Sequence, residues 1–281
     1  MKKQVRFVLR HLVLLLLAVI WLVPIVWLVV TSFSGYKGIN TAHFFPQTWS
    51  LDNYKVLFLQ PDSVVQYKAW FTNTLVIAIF TCIISTVLVL MVAYTMSCLR
   101  FKGRKGLMNL MLVLGMFPSF LTLLLIYKVF VDLGLTMNMA PVGLIIVYCA
   151  SSGMGYYISK GFFDTIPKSL DEAARVDGAT RWQVFRKVIM PLSKPIIVYT
   201  VLMGFMAPWG DFMMASFLIH ENSAGMNVAV GTFEWLSKTM VNSHYTLFCA
   251  AGVIVAIPVT AVFLMLQKYY VEGVTGGAVK G

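Results

Sequence analysis

Charge is what this sequence lacks. Asp, Glu, Lys and Arg make up 12% of its 281 residues, against roughly 25% in an ordinary soluble domain. With 59% hydrophobic residues, the chain cannot solvate itself as a globule, so the bilayer must be its solvent. Nucleophile–base sets and metal clusters are missing too, which argues against a membrane-embedded enzyme. His11, His43, His220 and His244 are scattered and form no metal or proton-relay group. Cys82, Cys98, Cys149 and Cys249 all lie in or at the end of apolar runs, without ligand spacing. They read as small packing residues rather than disulfide or metal partners. No G-x-x-x-x-G-K-[ST] occurs, so the chain is not expected to hydrolyse ATP itself. No internal repeat of the kind found in many secondary transporters stands out. Paired intramembrane charges, which an ion-coupled transporter would need, are also missing.

What is present is a series of long uncharged runs: Leu12–Phe33, Ala69–Leu99, Gly106–Tyr127, Leu133–Ser159 and Tyr245–Gln267. A further run, Pro195–Ile219, is interrupted only by Asp211. About 20 apolar residues suffice for a helix to cross the hydrocarbon core, and helices satisfy their own backbone groups there. The expectation is an all-α membrane protein with six transmembrane helices, at about 11–33, 70–98, 107–131, 141–160, 195–219 and 246–268. The start, MKKQVRFVLRHLVLLLLAVIW, is too long in its apolar part for a signal peptide and reads as a retained first span. With the N-terminus inside, 17 Lys and Arg fall on internal segments and 5 (Lys37, Lys55, Lys68, Lys128, Lys238) on external ones. That bias places both termini in the cytoplasm. The net charge of +11 is thereby explained without nucleic acid.

Residues 34–69 form an external loop rich in aromatics, expected to lie against the membrane face. Residues 220–245 form a second one. The longest internal loop, 160–194, is the most polar part of the chain. Ser169 with Glu172, and Thr180 with Gln183, fit capping boxes, so two short helices are expected, hinged at Gly178. The second should run from about Arg181 to Met190, ended by Pro191, with Trp182, Phe185, Val188 and Ile189 as its apolar face. Such an element suits either the headgroup surface or a soluble partner.

Its residues decide between the two. EAARVDGATRWQVFRKVIMPL resembles the EAA loop of binding-protein-dependent ABC importer permeases. Glu172, Ala173, Ala174, Asp177, Gly178, Ala179 and Pro191 stand at the family's spacing. NTLVIA (Asn73–Ala78), GMFPSFLTLLLIY (Gly115–Tyr127) and MNVAVG (Met226–Gly231) resemble the carbohydrate branch, and within it the G subunits of maltose and maltodextrin transporters. The ending, QKYYVEGVTGGAVKG (Gln267–Gly281), is similar to the C-terminus of those subunits.

The resemblance implies a single permease domain over 1–281 with the type I importer fold. It implies a loop seated in a separate ATPase subunit, which binds ATP and Mg; the permease itself holds no cofactor. It implies a homologous F-type permease partner, two ATPase copies, an extracytoplasmic solute-binding protein and an oligosaccharide cargo. The glycine-rich tail, with Gly276, Gly277, Lys280 and Gly281, would reach the ATPases; as residues alone it fits a disordered terminus equally. The segment His220–Tyr245, with Asn222, Ser223 and Asn227 as polar tips, would face the binding protein, or be an unspecialised loop.

Within the spans, Asp211 follows Pro208, Trp209 and Gly210 and marks a break in the fifth. It is either part of the substrate path, with Trp209 stacking on a sugar, or a cap on that break. Pro118, after Phe117, should kink the third span, as a gate or as ordinary packing, and Phe117 is a further candidate for the substrate path.

Overall fold

The computed structural model describes residues 2–39, 42–59, 65–151, 153–219 and 225–278. Its helices are α1 (Lys2–Ser32), α2 (Asp52–Leu59), α3 (Tyr67–Cys98), α4 (Arg104–Gly115), α5 (Ser119–Asp132), α6 (Ala140–Ala150) and α7 (Gly153–Asp164). They continue with α8 (Lys168–Val176), α9 (Arg181–Val184), α10 (Met190–Leu192), α11 (Lys194–Gly210), α12 (Met213–Ile219), α13 (Val228–Glu234) and α14 (Val241–Ala278). The described residues hold no strand beyond the isolated antiparallel bridge of Ser34 and Trp49.

Among the described residues, four helical stretches are long and apolar enough to cross a membrane: Gln4–Ser32, Tyr67–Cys98, Met137–Asp164 and Val241–Tyr269. A fifth arises if Arg181–Leu192 and Lys194–Gly210, bent by 86° at their junction, count as one. The expected third span is not found whole. Met116 to Pro118 part α4 from α5, and Pro118 takes ψ 125°, leaving two helices of 12 and 14 residues. At 1.5 Å per residue, each is about 20 Å long and short of a full crossing. The proline kink expected at this point is therefore a complete break.

The chain divides into two compact units: 1–68 with 231–257, and 69–230 with 258–281. In the first unit, α1 leaves its apolar residues from Leu12 to Val26 exposed, as lipid solvation requires. The loop after it folds onto its own unit in part through a buried side chain. Asn53 Nδ2 donates to Ser32 O (2.9 Å) and Ser34 O (3.0 Å), and its Oδ1 accepts from Thr246 Oγ1 (3.1 Å). Tyr67 O–H donates to Ala251 O at 3.0 Å. Phe45, Trp49 and Leu51 remain exposed.

In the second unit, α3 and α11 approach most closely at Gly204. A Cβ there would lie 2.6 Å from Ser85 Oγ and 3.1 Å from Cys82 Cα, so only glycine fits, as small residues permit close helix packing in membranes. All four cysteines are free, with Cys149 and Cys249 buried, which agrees with a packing role.

Two expected loops are helical instead. The sixth span does not give way to a tail at 269, because α14 continues to Ala278 and takes Gly276 and Gly277 into the helix. Lys280 and Gly281 lie outside the described residues. The segment read as a second external loop contains α13, and Met226, Val228, Val230 and Trp235 are buried. Asn222 and Ser223 lie outside the described residues.

Candidate functional site

The helix pair between α7 and α11 is assembled from local backbone chemistry. Pro167, at φ −58° and ψ 125°, launches α8 at Lys168 without a side-chain cap. The helix starts before Ser169, so the capping box expected from Ser169 and Glu172 is not formed. At its other end α8 closes in a Schellman motif. Ala179 N–H donates to Ala174 O (3.0 Å) and Gly178 N–H to Arg175 O (3.1 Å). The residue after the cap must then be left-handed, and Gly178 has φ +84°. A Cβ at Gly178 would meet nothing within 4 Å. The demand for glycine at this hinge therefore comes from its dihedral angle and not from a lack of room for a Cβ.

Two residues later α9 begins, and here the expected capping box is complete. Thr180 N–H donates to Gln183 Oε1 (2.7 Å), and Gln183 N–H to Thr180 Oγ1 (3.3 Å). Pro191 does not end this helix, contrary to expectation. A π turn over Phe185–Ile189 carries it on to Leu192. Such i→i+5 turns loosen the ladder where a proline would clash. Ser193 Oγ then donates to Ile189 O at 2.7 Å, as the chain bends into α11.

The pair is mounted on a buried apolar cluster of Leu90, Ala93, Tyr94, Phe163, Val184, Phe185, Ile189 and Ile196, with Ala174 and Ala179 packed against it. Its inward face is thus Val184, Phe185 and Ile189, while Trp182 is 58% exposed. The expected face placed Trp182 inside and omitted Val184. Across the π turn residues five apart, such as Val184 and Ile189, share a face, which a 3.6-residue period does not foresee. Glu172, Ala173, Asp177, Gly178 and Pro191 lie on the exposed side. One motif therefore divides its work. Ala174 and Ala179 seat the element, Gly178 shapes it, and Glu172, Ala173 and Asp177 are presented.

Beneath the pair is a cleft of about 380 Å³ lined by Arg100, Arg104, Lys168, Arg175 and Arg181 beside Asp164, Asp171 and Glu172. One wall is tied by Ser97 Oγ donating to Asp164 Oδ1 (2.6 Å), by the Lys160–Asp164 ion pair, and by Arg104 Nη1 donating to Ser97 O and Leu99 O (both 3.2 Å).

The second cluster surrounds Asp211, which leaves the helix after Gly210 at φ −84°, ψ 102°. Its Oδ1 accepts from Met214 N–H (3.1 Å), capping α12, and its Oδ2 accepts from Tyr148 O–H (2.6 Å). Its carbonyl accepts from Asn227 Nδ2 at 3.1 Å. Of the two readings, the geometry supports the helix-break cap. Trp209 is 6% exposed and packed between Phe71 (5.3 Å) and Phe205 (5.9 Å), so no ring face is free to stack on a sugar. Phe117 stands exposed at the α4–α5 break, apart from this cluster. Asn227 is fully buried and so is no polar tip; its Oδ1 accepts from Val230 N–H at 2.8 Å. Two further side chains hold the same segment. Asn73 Nδ2 donates to Met226 O (3.1 Å), and Thr74 Oγ1 accepts from Val228 N–H (2.8 Å). Sequence reading missed Tyr148, Asn73 and Thr74 as polar partners, because these bonds join residues 63 to 154 positions apart.

Among the described residues no group of three His, Cys, Asp or Glu could hold a metal. Membrane-length apolar helices carrying one polar, internally capped helix pair define an integral membrane component rather than a soluble catalyst. The chain belongs to the family described as binding-protein-dependent transport system inner membrane component, matched over residues 90–276. It is a transport component of the inner membrane and not an enzyme.

It is similar to the galactooligosaccharides transport system permease protein GanQ of Bacillus subtilis (strain 168), 34% identical over 280 residues, covering 100% of this chain and 98% of that one. The maltodextrin permease MdxG of the same organism is 33% identical, covering 96% and 95%. The maltose/maltodextrin permease MalG of Escherichia coli (strain K12) is 32% identical, covering 99% and 97%. Among solved structures, a bacterial ABC transporter that imports the acidic polysaccharide alginate superposes with TM-score 0.77, at 23% identity, over 96% of this chain and 98% of that one. That likeness confirms the fold.

Proposed function

We propose that the chain is one of two homologous permease subunits of an ATP-driven importer of oligosaccharides, with maltodextrins as its first cargo. The observation that carries this reading is the α8–α9 element. Its motif residues form a knob with Glu172, Ala173 and Asp177 facing outward, closed by caps and a mounting cluster that lie within this chain. On this reading the knob seats in a separate ATPase subunit, where ATP and Mg bind. A second copy of the ATPase serves a MalF-like partner permease, and a solute-binding protein delivers the sugar outside. Glu172, free of any capping duty, meets a basic group on the ATPase. The C-terminal residues, Gly276, Gly277, Lys280 and Gly281, supply a second contact with it. Relatives named for maltodextrins and for galactooligosaccharides resemble the chain about equally, so the second cargo is the alternative within the same machine.

The test is uptake by proteoliposomes holding the full complex with its solute-binding protein. Radiolabelled α-1,4-glucan and β-1,4-galactan trisaccharides are compared with and without internal ATP. ATP-dependent uptake of the glucan is the expected result. Uptake of the galactan alone replaces the cargo and keeps the machine. Uptake abolished by a protonophore yet indifferent to ATP would overturn the reading in favour of an ion-coupled transporter.

A further inference from the structure

The segment from Met226 to Val230 is held from three directions by side chains that capping α12 does not explain. Asn227 joins it to the break at Asp211, Asn73 and Thr74 join it to α3, and Asp211 in turn is bonded by Tyr148 of α6. Apolar burial of Met226, Val228 and Val230 already excludes water from the segment. Burial is non-directional, though, and between helices in lipid it does not fix register. The hydrogen bonds do. A neutral Asn at 211 could cap α12 at less desolvation cost than a carboxylate, but it would offer one acceptor oxygen. Here both are used, one on Met214 N–H and one on Tyr148 O–H.

We infer that Asp211 is a positioning residue of transport: its carboxylate and carbonyl lock the 226–230 segment to α6 and to the α11–α12 break, so that segment and break move as one body. This rests on the proposed function, in which a solute-binding protein delivers the sugar outside, and on the family resemblance, which turns residues 220–245 toward that protein. The segment opens α13 and, held in register, presents the exposed end of that helix already ordered; loosening it weakens docking because the ordering entropy then falls on the binding step.

The experiment uses the assembled complex in nanodiscs and reads ATPase rate against solute-binding-protein concentration. Three variants are compared: Tyr148→Phe, Asn227→Ala and the double. Each single variant is expected to raise the half-saturating concentration about tenfold, the scale of one hydrogen bond to a charged or buried group. The double variant should be no worse than the worse single one, since both act through Asp211. Basal ATPase of Tyr148→Phe should stay near wild type. Tyr148→Phe removes one oxygen atom, so it keeps the question open to test if Asn227→Ala fails to assemble. Unchanged half-saturation, fully additive effects, or basal and stimulated rates falling together would each overturn the inference. Absence of stimulation in the wild-type complex would instead overturn the proposed function on which it rests.

Discussion

At the scale of single residues, the tightest local demands fall at Gly178 and Thr180. A left-handed backbone costs a non-glycine L-residue about 1–2 kcal/mol, and the space around Gly178 is open. Gly178→Ala should therefore fold, with that loss confined to the α8–α9 element. Gly178→Asp is gentler on the dihedral, because Asp tolerates this region, but it adds charge and bulk to the exposed turn. It should insert and assemble, yet hydrolyse ATP without transport; vesicle uptake at the wild-type rate would refute this. Thr180→Ala removes a hydroxyl cap worth about 1 kcal/mol, which faster protease cleavage near residue 180 would register. The Thr180–Gln183 box could be read from sequence because it is a bond between near neighbours. The identical pattern at Ser169–Glu172 misled because Pro167, two residues upstream, starts the helix first. Tyr148–Asp211, with 62 residues between them, left no local signature.

At the scale of elements, the α9–π–α10 stretch shows why a hydrophobic period can be right about a helix and wrong about its face. Val184 and not Trp182 shares the inward face with Ile189, because residues five apart align across the wider turn at Phe185–Ile189, and nothing in a 3.6-residue repeat announces such a turn except the Pro191 that follows. Ile189 is 2% exposed within the cluster that mounts the pair. Truncating it should cost about 3 kcal/mol through lost burial and a cavity. Ile189→Ala is thus expected to lower the thermal midpoint of the complex and to reduce transport more than ATP hydrolysis, because the knob is left loosely mounted. Equal losses in both activities would show that the cluster only stabilises. Ser193→Ala, which leaves Ile189 O without its hydroxyl donor, should act in the same direction by a smaller amount.

At the scale of the whole molecule, uncharged runs in the sequence marked the apolar helices well, and the described helices overlap all six of them. What the runs could not show is continuity. Three of the six are interrupted, at Met116–Pro118, Ser151 and Asp211, and only the first and last of these breaks have a proline or an acid nearby to advertise them. The expected arrangement of six spans with both termini inside makes a direct prediction. Single cysteines at Lys102 and Lys187 should resist a membrane-impermeant thiol reagent in intact cells. Cysteines at Lys37, Lys55 and Lys238 should react, in a background with Cys82, Cys98, Cys149 and Cys249 replaced. Labelling of Lys102 from outside would require a different number of crossings.

The 86° bend between the α9–α10 stretch and α11 carries a mechanical implication. α11 is a rod of 17 residues, about 25 Å long, clamped near Ser193 at one end and tied into the Asp211 cluster at the other. Such a rod is a lever arm. A tilt of about 10° imposed at the knob would carry Gly210 sideways by about 4 Å over that length. A shift of that size exceeds the 2.6–3.1 Å length of each hydrogen bond at Asp211 that it would have to drag or break.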